Sequence, residues 1–263
     1  MKKNIGLLIF SGFVLAANAQ NDSKLLIGID VCGGGAYGTM NDNWEVRQSI
    51  HSNYSSDYEY ENNSSQGSVS TSSSVFYLTV KPEYRFSDKF SVASGLRFTK
   101  FGSNFNGNGA SGKYFFLRMK NTDDTRTDYY RIKSINEQNS YLGIPLEAKY
   151  MLFSWGDFRF YGKVGYEFGY LLHKKLNITF QQQEMQQYEQ DIFNNIGLKP
   201  NNFYSSIGGA FGVNYQTKNN WHLNVDLFMG SGLLTHNNTT LINLKSMSGV
   251  QFSVMMPIKI AKK

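Results

Sequence analysis

The sequence predicts an all-β fold, an eight-stranded antiparallel up-and-down transmembrane β-barrel. Three observations predict it. Eight stretches alternate large apolar residues with small or charged ones at every second position. Alternately long and very short connections join them, and a secretory leader precedes them. A period of two places the two residue sets on opposite faces of a strand, and eight such strands behind a leader are the pattern of a membrane barrel.

The leader reads Met1-Lys2-Lys3-Asn4, an apolar run from Ile5 to Ala16, then Ala17-Asn18-Ala19 before Gln20. A basic start, a short apolar core and an A-x-A site make a signal peptide, with cleavage expected after Ala19. The run is too short for a spanning helix, which needs about 20 residues. Residues 1–19 are therefore read as signal peptide and 20–263 as one outer-membrane barrel domain. Losing Lys2 and Lys3 lowers the formal charge from +6 to +4. The remaining basic residues are spread along strands and loops, which argues against a nucleic-acid partner. Cys32 is the single cysteine, so no internal disulfide forms.

Each strand earns its place by alternation. The first, about 25–37, sets Gly28 and Asp30 on one face and carries Gly33-Gly34-Gly35, read as a bend. In the second, about 74–86, Phe76, Leu78, Val80, Pro82, Tyr84 and Phe86 oppose Tyr77, Thr79, Lys81, Glu83 and Arg85. The third, 90–102, sets Phe90, Leu96 and Phe98 against Gly95 and Arg97. The fourth, about 140–152, sets Leu142, Ile144 and Leu146 against Gly143, Glu147 and Lys149. In the fifth, 158–172, Phe160, Tyr166 and Phe168 oppose Arg159, Lys163, Gly165, Glu167 and Gly169. Ile207 and Phe211 oppose Gly208 and Gly212 in the sixth, 203–216. The seventh, 221–230, sets Leu223 and Leu227 against Asp226, and the eighth, about 247–260, carries Phe252.

Short turns fall at 87–89, 153–157 and 217–220, with turn formers in each. Long surface loops are expected at about 38–73, 103–139, 173–202 and 231–246. That asymmetry puts both termini on the periplasmic side. The first loop is polar and acidic, with Asp42, Glu45, Asp57, Glu59 and Glu61 lacking calcium-loop spacing. The second reads as a hairpin of 114–120 and 129–135. The third, with Met185, Tyr188, Ile192, Phe193 and Ile196 before Gly197, fits a short amphipathic helix or a further ribbon.

Alternation alone does not say which face meets lipid. The apolar set is too bulky for the inside of an eight-stranded barrel, which holds only modest side chains or one ligand. The opposite set mixes glycines with charges of both signs that can pair across a narrow lumen. Its expected ionic network is Asp30, Lys81, Glu83, Arg85, Arg97, Glu147, Lys149, Arg159, Lys163, Glu167 and Asp226. Phe86, Phe90, Tyr150, Phe158, Tyr215 and Trp221 lie beside the short turns as an aromatic girdle. Tyr37, Phe76, Tyr170 and Phe203 sit at the other rim. Closure follows, because hydrocarbon tolerates no open sheet edge, so the eighth strand must pair with the first. Pro82 and Pro145 lack an N–H and belong where a ladder bond is missing.

Ser140-Tyr141-Leu142-Gly143-Ile144-Pro145-Leu146-Glu147-Ala148-Lys149-Tyr150 resembles the strand motif Tyr-Leu-x-Ile-Pro-Leu-x-x-Lys-Tyr of PorT-type outer-membrane β-barrel proteins. The Pro-x-Tyr-x-Phe end of the second strand and the Gly-Leu-x-Phe strand after it match too. The resemblance implies an outer-membrane barrel, in a family some of whose members are linked to assembly of a secretion system.

The expected role is non-enzymatic, with no catalytic, cofactor or metal site. His222 and Asp226 share a face, but four strand residues separate them by about 13 Å. A Ser-His-Asp hydrolase using Ser206 or Ser253, as in a lipid-modifying enzyme, is the alternative. A soluble lipocalin-like barrel is another. Outer-membrane lipid is the expected partner of a monomeric barrel. A protein or surface ligand is expected at the loops, through Tyr114, Phe115, Phe116, Tyr129 and Tyr130.

Overall fold

The computed structural model describes residues 24–41, 44–48, 69–107, 115–119, 129–180, 182–190 and 199–258. The leader, Asp42, Asp57, Glu59, Glu61, Tyr114, Ile192, Phe193 and Ile196 lie outside the described residues. Eleven strands are described. They are β1 (Leu25–Met40), β2 (Trp44–Gln48), β3 (Val69–Arg85), β4 (Phe90–Ser94), β5 (Leu96–Gly107), β6 (Phe115–Met119), β7 (Tyr129–Trp155), β8 (Phe158–Phe180), β9 (Phe203–Gln216), β10 (His222–Leu233) and β11 (Ile242–Pro257).

Every pairing is antiparallel. β1 pairs with β3, β3 with β4 and β5, these with β7, and then β8, β9, β10 and β11 follow in order. β11 returns to β1 from Leu26↔Pro257 to Met40↔Ile242, which closes the ring. β4 and β5 form one wall strand interrupted at Gly95, so eight positions make the barrel. The registers Ser94↔Leu146 and Arg97↔Gly143 continue each other and set Gly95 opposite Pro145. The missing proline donor thus coincides with the interruption.

The faces follow the alternation. On β3, Phe76 is 44 % exposed and Tyr77 only 3 %. Leu78, Val80, Leu142, Ile144, Leu146, Phe211 and Phe252 also point out, while Asp30, Lys81, Glu83, Arg97, Glu147 and Glu167 are buried inside. Large apolar groups therefore coat the wall and ionic groups fill its middle, the inverse of a soluble barrel.

Four features differ from the sequence reading. First, the ladder runs unbroken through Gly33-Gly34-Gly35, and the register shift comes at Tyr37/Gly38. The glycines serve close approach instead, since a Cβ on Gly34 would stand 2.0 Å from the Ser248 carbonyl oxygen. Second, β7 begins about ten residues before the expected start, and β8 runs on to Phe180. These strands continue past the lipid band into water.

Third, the polarity of the faces swaps there. Phe101, Phe105, Ile132, Ile135, Ile178 and Phe180 are buried inside, while Lys133, Asn177 and Thr179 face out. On β8 an extra residue at Leu172 makes the switch, because Ser140 pairs with His173 but Tyr141 with Leu171. One extra residue exchanges the faces of everything beyond it. The ion pairs of the lumen are thus confined to its periplasmic half.

Fourth, in the third loop a short 3-10 helix, Gln183–Tyr188, stands where an amphipathic helix was expected. Met185 packs against the interior and Tyr188 is exposed. In the second loop β6 pairs with β7 as a hairpin, and β2 adds itself from the first loop, Trp44↔Met119 to Gln48↔Phe115. A three-stranded ribbon results.

Candidate functional site

The interior has two layers. The periplasmic layer is a chain of charges. Lys81 stands between the Asp30 carboxylate, at 2.8 Å, and Glu147. Arg97 bridges Glu147 at 2.7 Å and Glu167 at 3.0 Å, donates from Nε to Thr79, and lies over the Tyr77 ring. Lys163 meets Asp226 at 2.6 Å, and Asp226 also accepts from Tyr161 and Gln251. Lys149 pairs with Glu83 at 2.9 Å, and Ser91 donates to the other Glu83 oxygen. The period-two register of seven of the eight wall positions aims all these groups at one axis. Desolvated charges of this kind persist only when paired and hydrogen-bonded.

Glycines make the room. A Cβ on Gly212 would stand 2.2 Å from Asp226, and one on Gly169 would stand 2.2 Å from the Tyr204 ring. Glycine therefore seats tyrosines as well as charges. Gly169→Ala should cost about 1–3 kcal/mol by overpacking. The folded fraction on unheated gels across a temperature series reads this, and an unchanged midpoint would mean that Tyr204 moves aside freely.

The second layer is aromatic and apolar. Phe101, Tyr141 and Tyr204 meet edge to face at 5.0–5.8 Å between centroids. Tyr204 donates to Thr99, which donates to Glu167, so the two layers are joined. Above them the last loop folds inward, with Asn238, Thr239, Thr240 and Leu241 all buried. The Glu137 carboxylate holds it. It accepts from the Thr240 and Leu241 backbone N–H groups, from the Thr240 hydroxyl and from the Asn139 amide at 2.7–3.0 Å. Glu137 lies beyond the lipid-facing band, between outward Asn136 and Gln138. Burial pushes its carboxyl above the ordinary range, against the pull of those donors.

All eleven residues of the expected ionic network point inward, but the structure joins nine of them by ion pairs and leaves Arg85 and Arg159 outside those pairs. The six girdle residues stand exposed on the outer wall beside the short turns, where Phe158 packs on Tyr215 and Phe86 on Phe90. Trp155 joins them, because the turn is only Gly156-Asp157, with Gly156 at φ +58°. Phe115 and Phe116 lie on β6, and Tyr129 and Tyr130 open β7 beside them.

The hydrolase trio is not brought together. His222 Nδ1 meets Asn214 at 3.2 Å, whereas Asp226 is held by Lys163, Tyr161 and Gln251. Among the described residues no group of three His, Cys, Asp or Glu is placed to hold a metal ion. Glu137 was hidden inside an expected loop. Its signal was parity, because 137, 139, 141, 143 and 147 share one face of β7.

A closed ring of strands with an apolar coat, aromatic rims and an ionic interior defines an integral outer-membrane β-barrel protein. The chain belongs to the outer membrane protein beta-barrel domain family, whose model matches residues 18–233. Among solved structures it is similar to the outer membrane protein OprG from Pseudomonas aeruginosa, at 14% identity over 88% of this chain and 96% of that one, with a TM-score of 0.34. It is also similar to E. coli Outer Membrane Protein W, at 12% identity over 88% and 97% of the two chains, with a TM-score of 0.32. No curated protein matches it.

Proposed function

We propose that this is a sealed, non-enzymatic barrel that acts through its extracellular face, as a docking or assembly element of the cell envelope. The observation that carries the reading is the filled lumen. Paired charges occupy one half, an aromatic and apolar core the other, and the last loop caps it. The cavity among Tyr77, Arg97, Glu147 and Lys163 measures about 40 Å3, room for a few waters. The β2–β6–β7 ribbon, with its aromatic residues, is the contact surface of this reading. The Tyr141–Tyr150 motif supports kinship with PorT-type barrels, and with it a part in secretion-system assembly.

In planar bilayers the purified protein should add no stepwise current above the bare membrane. Steady channels would overturn the sealed reading. Removing 115–130 should abolish surface cross-linking to a partner while heat-modifiable gel mobility persists. Cross-links that survive the deletion would move the contact away from the ribbon.

A further inference from the structure

The ionic layer pairs its charges with two exceptions, and both lie at the periplasmic mouth. Arg85 is the last residue of β3 and Arg159 the second residue of β8. Both have inward parity and both are half-buried. Among the described residues neither guanidinium makes a hydrogen bond or an ion pair.

The two face each other across the opening. β3 and β8 are three positions apart on a ring of eight, and an eight-stranded lumen is only about as wide as its own side chains. Glu83 attracts Arg85 and Arg159 repels it, and both arginines act on buried His222, as does Lys149. The nearby carboxylate, Glu83, is already taken by Lys149 and Ser91. Asp88 acts on Arg85 from the exposed turn, where Lys89 stands beside it. Two guanidinium groups without a direct partner therefore remain in a half-desolvated ring, in a layer of six cations and five carboxylates. Guanidinium forks in that setting match the oxygens of a phosphate group, and two of them balance a dianion.

We infer that the periplasmic mouth is a binding site for a phosphate group, held between Arg85 and Arg159. The group enters from the periplasm, either as a free phosphate compound or as a phosphorylated lipid headgroup reaching over the rim. This site is independent of the surface role proposed above.

The test uses the whole protein in detergent and isothermal titration with inorganic phosphate, against chloride at equal ionic strength. Saturable uptake is expected. It should weaken by about tenfold or more in Arg85→Gln and in Arg159→Gln, the loss of a charge-assisted contact, and should persist in Lys89→Gln. Phosphate should also raise the unfolding temperature of the parent and not of the double arginine variant. A second arm dopes the micelles with short-chain phosphatidic acid. Tighter uptake there than of free phosphate assigns the headgroup as the source, and the reverse assigns a soluble phosphate. Absence of saturable uptake in both arms, or uptake unchanged in the folded double variant (an adventitious ion only), overturns the site.

Discussion

Glu147→Ala is expected to cost about 1–3 kcal/mol of barrel stability, the scale of hydrogen bonds lost from buried charged groups. Glu147 stands between Lys81 and Arg97, with Lys163 at 3.8 Å. Its removal leaves Asp30 to balance Lys81 and Glu167 to balance Arg97. The central negative charge is gone from a layer where almost nothing else is solvated. Urea unfolding in lipid vesicles, followed by tryptophan fluorescence, measures the loss. The intact pair network is not itself a large source of stability, because desolvation offsets the attraction. Replacing Asp30, Lys81, Arg97, Glu147 and Glu167 together with apolar groups of similar size should therefore cost less than Lys81→Ala alone, which strands the buried Asp30 carboxylate. A single-mutant loss below about 1 kcal/mol, the scale of an exposed pair, would mean that water reaches the layer and that the lumen is not sealed.

Glu137→Ala should free the last loop without unfolding the barrel. The carboxylate satisfies two backbone N–H groups, at Thr240 and Leu241, that are buried at the top of the interior. Unsatisfied donors of that kind cost about 1–3 kcal/mol each. Amide exchange at Thr240 and Leu241 should accelerate by about a hundredfold, on the scale of tenfold per 1.4 kcal/mol. Exchange at Leu78 and Leu146, in the lipid-facing wall, should stay slow. Unchanged exchange at Thr240 would show that Leu241 and Ile242, packed in the apolar core, hold the loop unaided. Glu137→Gln keeps one acceptor oxygen and should fall between the two.

Much of this was legible along the chain. Phe76 to Phe86 names its own outer face, because strand geometry repeats every two residues whatever lies beyond. The inward set Lys81, Arg97, Glu147 and Glu167 follows from that parity and from the need to hide charge from lipid. Less legible was the upper half. There Phe101 and Phe105 leave the register of Leu96 and Phe98, and a single extra residue at Leu172 flips β8. A reading that expects one polarity per face treats that switch as the end of a strand. Glu137 was missed for this reason, along with the inward fold of Asn238 to Leu241.

The amino-acid order alone determined the ring of strands, its outer coat and its charged interior. Those follow from local periodicity and from the cost of unpaired backbone in hydrocarbon, and neither needs knowledge of neighbours. Tertiary structure alone decided which charge meets which, that Arg85 and Arg159 stay unpaired, and that the last loop plugs the top. Such choices rest on strands far apart in sequence meeting across one narrow lumen, where register and side-chain length together select the contact.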